Sequence, residues 1–355
     1  MNNPTFEALR DDLEALQVPD GEARNLRWLS PPLAVARSAS GDYEIFLRGD
    51  ELLATSPLVR RHLQHGEWQP QGGGESFPAT RIVLPSAPHF ASVAALIAVE
   101  LLRAGLAEGE DSQAAFGDVE PIIEMAIRRG ALPENVIVGL IGELIVLRQS
   151  LLSIGSRDHL KGLVLEAWQG WQPGGGRDFT FGPNSIEVKT TQSVSSIHEF
   201  GGFHQLEETQ LPSGAQEQLH LLSIGLAPST AMGESLPVIV DQILAMLGGH
   251  VELGPLQSAL LTRVETYGAA NGAGYRHATM RDWNAYATRY TATFPPRLYR
   301  VADTAMRLLR REDVAATFVA PASMSFTMHL PDQVSAFNPA PSWQHELAEM
   351  LVVLT

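Results

Sequence analysis

Residues 176–191, GRDFTFGPNSIEVKTT, constrain the fold more than any other stretch of this chain. Phe179 and Phe181 alternate with Asp178 and Thr180, Gly182-Pro183-Asn184-Ser185 supplies turn chemistry, and Ile186, Val188 and Thr190 alternate with Glu187 and Lys189. The pattern predicts a β-hairpin. Side chains along a strand point to opposite faces in turn, so Glu187 and Lys189 share one face while Ile186 and Val188 supply the apolar other. Strands seldom carry Asp, Glu and Lys by preference. Two acids and a lysine on a sheet that is otherwise buried therefore need a reason.

Two reasons compete. Carboxylates held rigidly a few ångströms apart suit a hard divalent cation such as Mg2+, which prefers oxygen ligands and keeps several waters. A lysine two positions along the strand can then polarise an attacking water or neutralise charge on a phosphate. The same residues also make a cross-strand ion pair on a wet hairpin face, worth about 0.2–1 kcal/mol. Composition favours the first. Of 25 basic residues only Lys161 and Lys189 are lysine. A chain that uses arginine nearly everywhere else and keeps lysine here has use for a compact ammonium rather than a planar fork.

A chain of 355 residues has room for two or three domains and a sizeable core. The absence of cysteine excludes disulfides and thiolate metal sites. The acidic, amphipathic opening MNNPTFEALRDDLEAL lacks the basic and apolar parts of a secretory leader. Neither 89–106 nor 136–147 offers the roughly 18 uninterrupted apolar residues of a membrane span, so the expectation is a cytoplasmic protein with no membrane partner. A net charge of −15 argues against a generic nucleic-acid coat. The charge is uneven, and 263–311 holds nine arginines against Glu265, Asp282 and Asp303. Any DNA-facing surface belongs there, with Arg276 and Arg281 as candidates. Five of the six tyrosines, Tyr267, Tyr275, Tyr286, Tyr290 and Tyr299, lie in the same stretch with Trp283. Arginines among aromatics fit phosphate contact and base stacking. The plainer arrangement puts the tyrosines in a β-rich core and the arginines on its wet side.

Along the chain, 5–16 reads as an amphipathic helix, and 33–37 and 43–47 as a hairpin. His62 and His65, three apart, could bind metal on a helix, or simply be solvated. The glycines of 69–75 lack the Lys-Ser/Thr of a phosphate loop. A strand (79–84), an apolar helix (90–106) and a polar linker (108–117) complete an α+β region over 1–130. Pro133 and Glu134 suit a helix start, and 136–147 is apolar on nearly every face except at Glu143. Its neighbours one turn away, Gly139, Leu140, Val146 and Leu147, cannot pair with it. A buried Glu143 must meet a cation, a hydrogen-bond donor or water; otherwise the helix end tips it into solvent. A helix (159–171), the hairpin, a polar crossover and an apolar strand (219–226) follow. The region 231–355 opens with a helix at 236–247 and closes with one at 343–351.

Glu143 in GLIGEL, Asp178 in RDFTF, and Glu187 with Lys189 in IEVK resemble the signature of the PD-(D/E)xK phosphodiesterase superfamily. Further stretches, GLIGELIVL, HQLE…LHLLSIGL, GESLPVIVDQIL and RLYRVAD, are similar to the bacterial "PD-(D/E)xK motif protein" family, over most of 120–330. Arg177 stands where the name-giving proline would be, and Asp178 and Glu187 are only nine residues apart.

The resemblance implies an α/β fold: a restriction-endonuclease-like αβββαβ core with a mixed sheet over 131–230. That core is flanked by the α+β region 1–130 and an α+β region 231–355 that contacts DNA or partners. It implies a Mg2+- or Mn2+-dependent DNA endonuclease of a bacterial restriction or anti-phage system. Asp178, Glu187 and the Val188 carbonyl would ligate an ion, and Glu143 would bind through water or hold a second ion. Lys189 would orient the attacking water. Gln205 is a candidate for a further contact, Arg177 for a DNA contact, and His198, His204 and His220 for phosphate contacts or proton carriers. Ser195 and Ser196 need no role beyond a turn. The family context implies ATPase or methyltransferase partners, and cutting both strands of a duplex suits a homodimer. A catalytically silent or conditional DNA-binding or assembly subunit is the alternative. A carboxylate-pair glycosidase would also use Asp178 and Glu187, but it leaves Lys189 idle and predicts insensitivity to EDTA.

Overall fold

The computed structural model describes residues 4–17, 24–39, 41–60, 62–69, 76–85, 89–106, 111–130, 132–172, 174, 176–211, 214–248, 254–268 and 274–354. Most of the glycine loop 69–75 and part of the linker at 107–110 lie outside them. The chain divides into two compact units, Met1–Leu132 with Trp283–Ala285, and Pro133–Ala270 with Gly274–Asp282 and Tyr286–Thr355.

The first unit is built on a five-stranded antiparallel sheet. Its strands are β1 (Arg24–Ser30), β2 (Leu33–Ser38), β3 (Tyr43–Arg48), β4 (Leu63–Trp68) and β5 (Phe77–Leu84), in the order β1-β2-β3-β5-β4. The sheet curls until side chains from its two edges meet. Trp28 of β1 stacks edge-on against Phe77 of β5 at 5.0 Å, and the Arg24 guanidinium lies 5.1 Å from the ring of Trp68 on β4. Inside the curl Ala34, Ala36, Phe46, Phe77 and Ala79 form a small core, and Glu44 is held between Arg24 (2.8 Å) and Arg81 (2.6 Å). Helices α1 (Phe6–Ala15), α3 (His89–Leu101) and α4 (Ser112–Gly130) pack on this sheet, and a one-turn helix α2 (Pro57–Arg60) leads into β4.

Two expectations fail here. The polar run predicted as a linker is helical from Ser112, because Ala115, Phe116, Val119 and Ile123 form a buried stripe. His62 and His65 do not share a helix. His65 sits on β4 beside Thr80, and His62 precedes the strand, packs 4.7 Å from Trp283 and is pushed down to about 4 by burial.

The second unit starts with α5, Glu134–Ile154, a 21-residue helix longer than its apolar run suggested. By length and composition it could cross a membrane, yet most of it is buried inside this unit as a core helix. A short α6 (Lys161–Ala167) ends where Trp168 turns extended and bridges Phe179, so the helix expected to reach Trp171 stops early. Then come β6 (Phe179–Phe181) and β7 (Asn184–Thr191), the predicted hairpin, with Phe179 opposite Ile186. Next are β8 (Ile197–Phe200) and β9 (Gln218–Ser229), and β9 runs parallel to β7 over eight residue pairs from Asn184–Gln218 to Thr191–Gly225.

The crossover between β7 and β9 differs from the expected core. Among its described residues it holds β8 and a 3-10 turn at Phe203–Gln205 in place of a helix. Gly201-Gly202, a run of serines and the absence of a helical apolar stripe explain this. Beyond β9 the chain forms α7 (Leu236–Leu247), α8 (Pro255–Thr266), β10 (Arg289–Ala292), β11 (Arg297–Arg300), β12 (Phe326–His329) and α9 (Trp343–Leu351). Strands β10 and β11 both pair antiparallel with β9, and β12 pairs with β8. Residues after 230 thus complete the same sheet, and α7 and α9 cover α5. Tyr275, Tyr286, Tyr290 and Tyr299 are buried, so the tyrosine-rich stretch is core.

Candidate active site

The hairpin sets the site through its register. Pairing between β6 and β7 ends at Phe179–Ile186, so the next N–H on that edge of β7, that of Val188, has no strand partner. Asp178 Oδ2 accepts it at 2.6 Å. Asp178 is thereby pinned beside Glu187, the residue it would face had the strand continued. In an extended strand the N–H and C=O of one residue leave the same edge, so the Val188 carbonyl opens toward Asp178. Two positions on, Lys189 Nζ lies 3.1 Å from Glu187 Oε1 and 5.2 Å from the centre of the Phe200 ring on β8.

Glu143 arrives from α5. That helix approaches β7 closely because Gly142 has no side chain: a Cβ there would collide with Thr190 Cγ2 and lie 3.6 Å from Val188 Cγ1. The Glu143 carboxylate is buried, with Oε2 accepting from Trp168 Nε1 at 2.7 Å and Oε1 from the Tyr267 hydroxyl at 2.7 Å. Gly170 sits against both helix and hairpin acids. A Cβ on it would run into Glu143 Oε2 and stand 2.8 Å from Asp178 Oδ1, so the two carboxylates face one another across bare backbone.

Burial dominates the electrostatics, and crowding of like charge adds to it. Burial pushes Glu143 up to about 7; hydrogen bonds from Trp168 and Tyr267 oppose the shift, and the charge on Glu187 adds to it. Asp178 is driven well above the ordinary carboxylate range by burial and then by Glu143 and Glu187, with Val188 N–H and Lys189 as counterweights. One ammonium among three carboxylates leaves room for another positive charge.

Hard oxygen donors fit a divalent ion by chemistry. Among the described residues no group of three or more His, Asp or Glu side chains is close enough to hold one as placed. Glu143 is already engaged through both oxygens, so the donors suited to an ion are Asp178, Glu187 and the Val188 carbonyl, with water filling the remaining positions.

The other candidates lie elsewhere. Gln205 turns inward on its own loop, where its amide oxygen accepts from Gly201 N–H at 3.0 Å. Arg177 spends its guanidinium on Glu217, with bonds of 2.7 and 2.9 Å, and on the carbonyls of His204 and Glu207. Arg276 lies 3.9 Å from Glu265, and Arg281 bonds Asp241 at 3.0 Å. His198 is lowered to about 4 by burial and contacts Ser223 at 2.7 Å and Ser196 at 3.3 Å, which keeps it neutral; burial also lowers His220. Sequence reasoning missed Trp168, Gly170 and Tyr267. Trp168 lies nine residues before the RDFTF block and bridges its Phe179, but no sequence signal ties Tyr267 to Glu143.

No curated protein and no solved structure matches the chain. A family model does match, over more than half of the sequence, and it covers the helix acid and both hairpin strands. The chain belongs to the family described as "Putative PD-(D/E)XK family member, (DUF4420)", whose model matches residues 107–300.

Proposed function

We propose that the chain is a divalent-metal-dependent DNA endonuclease of a bacterial restriction or anti-phage system, with its centre at Asp178, Glu187, Lys189 and Glu143. The observation that carries this reading is the approach of the Glu143 and Asp178 carboxylates across Gly170, with Glu187 and its lysine partner Lys189 beside them on β7. The core is a reduced form of the αβββαβ unit, with the bridge at Trp168 in place of a first strand and an extended crossover in place of its helix.

Asp178 and Glu187, with the Val188 carbonyl, would hold Mg2+ or Mn2+. When bound, the ion supplies charge neutralisation at the phosphate and lowers the cost of ionising the attacking water. Lys189 offers compact N–H donors that orient the water and meet charge developing on the phosphate oxygens. Its own orientation comes from Glu187 on one side and the face of Phe200 on the other. Arg276 and Arg281 belong to the proposed DNA surface. Arg281, half exposed beside Asp241, can exchange that partner for a phosphate.

The test is purified protein with plasmid and Mn2+ or Mg2+, with EDTA as control. Ion-dependent nicking supports the reading, and cleavage that survives EDTA overturns it. A conditional subunit is the second reading, favoured by the hydrogen bonds that already occupy Glu143 and by the net charge of −15. It predicts cleavage only when ATPase or methyltransferase chains are added. Charge reversal at Arg276 and Arg281 tests the DNA surface: it should weaken binding and flatten its salt dependence.

A further inference from the structure

We propose that Tyr267, together with Trp168, is a positioning residue that fixes the orientation of Glu143 beside Asp178 and Glu187, so that Glu143 acts on the bound ion through water instead of ligating it. This rests on the phosphodiesterase reading above.

The two donors take different oxygens of one buried carboxylate, each at 2.7 Å. Rotation about the last side-chain bond of Glu143 would break both. An indole N–H and a phenol are neutral, so they orient the carboxylate without cancelling its charge. An arginine in their place would close the site, as Arg177 does for Glu217. They come from separate parts of the chain, 25 and 124 residues from Glu143. Each stands at a helix end where the backbone turns extended: Trp168 after α6, and Tyr267 after α8.

Space for the hydroxyl is also built in. Gly139 lies one turn before Glu143, and a Cβ on it would stand 3.0 Å from the Tyr267 oxygen. A group that orients a metal-site carboxylate from outside affects ion affinity and turnover more than stability.

The experiment is calorimetric titration of Mn2+ into the full chain, paired with steady-state cleavage of DNA. Tyr267→Phe is expected to weaken Mn2+ binding about 10-fold and to lower kcat with KM for DNA unchanged. Tyr275→Phe deletes another buried hydroxyl, 2.8 Å from His277 Nδ1, and serves as the matched control. It should leave Mn2+ affinity and kcat as in wild type. Gly139→Ala keeps the hydroxyl but crowds it, and should shift both quantities in the same direction by less; this variant decides the matter if Tyr267→Phe does not fold. Wild-type affinity and kcat in the folded Tyr267→Phe or, failing that, Gly139→Ala would overturn the clamp, as would an equal loss in Tyr275→Phe. Wild-type protein that binds no Mn2+ removes the phosphodiesterase reading itself, and the clamp with it.

Discussion

Arg177 and Asp178 are neighbours in sequence and opposite in fate. Arg177 meets Glu217 through two hydrogen bonds, and Glu217 also accepts from the Thr209 N–H (2.9 Å) and hydroxyl (3.0 Å). Burial alone would raise Glu217, yet these donors hold it down to about 2. Asp178 faces two more carboxylates and is raised. The Arg177 pair is closed: its charges cancel and its donors are spent. The Asp178 cluster is open, carrying a charge that the folded chain does not fully answer. Closed pairs hold a fold together, and open ones are where an ion or substrate can be received.

Asp178→Asn breaks the open side. It keeps an oxygen to accept the Val188 N–H and removes the charge, so cleavage should fall by several orders of magnitude while circular dichroism is unchanged. Without metal the variant should be at least as stable as wild type at mildly alkaline pH, because a repelling charge is gone. Lys189→Arg should also lose most activity, since a planar fork cannot occupy the space between Glu187 and Phe200 in the same way. Undiminished cleavage by either variant would remove the residue from the centre.

The closed side breaks differently. Glu217→Gln leaves the Arg177 guanidinium, with side-chain exposure of only 9%, without its counter-charge. Urea unfolding should show a loss of about 3–5 kcal/mol, with Mn2+ affinity of the folded fraction retained. A smaller loss would mean that the pair contributes less than its geometry suggests.

The two sides also titrate in opposite directions. Glu143 is raised to about 7, so between the ordinary carboxylate range and that value the folded state binds a proton that the unfolded state has released. Stability therefore falls as pH rises through that window. Glu217 is lowered to about 2, and its contribution is present above the ordinary range and lost as pH falls toward that value. Mn2+ should raise the melting temperature by a few degrees at about pH 8 and by much less at about pH 5, where protons already neutralise the cluster. Equal shifts at both pH values would mean that the ion binds elsewhere.

The local part of this arrangement was legible in the sequence. Alternation gave the hairpin and the shared face of Glu187 and Lys189, and a lone acid on an apolar helix announced a partner for Glu143. What answered Glu143 was not legible, because Trp168 and Tyr267 reach it through tertiary packing that leaves no periodic trace. The crossover was misjudged because a family pattern supplied a helix where local residues favour extended chain. Tyrosines among arginines read more plainly as a core than as a stacking surface, but burial is decided by strands paired across the unit, which no local pattern displays. Arg177 looked like a DNA contact because its partner Glu217 lies 40 residues away.

The smallest effect belongs to the chain's other lysine. Lys161 Nζ reaches Asp158 Oδ1 at 2.7 Å, three residues earlier, and the aspartate side chain is 79% exposed. Water screens such a pair, and the ordering of the side chains offsets much of its Coulomb energy. An arginine side chain is long enough to make an equivalent contact. Lys161→Arg should therefore change unfolding free energy by less than about 0.5 kcal/mol and leave cleavage untouched, whereas the same exchange at Lys189 removes activity. Rarity of lysine cannot by itself mark a functional position, since both lysines are equally rare. The distinction lies in what surrounds the ammonium: a solvent-exposed acid at Lys161, and a buried carboxylate with an aromatic face at Lys189. If both exchanges proved equally harmless, the open cluster would have no need of a compact charge, and the water-orienting role of Lys189 would fall with it.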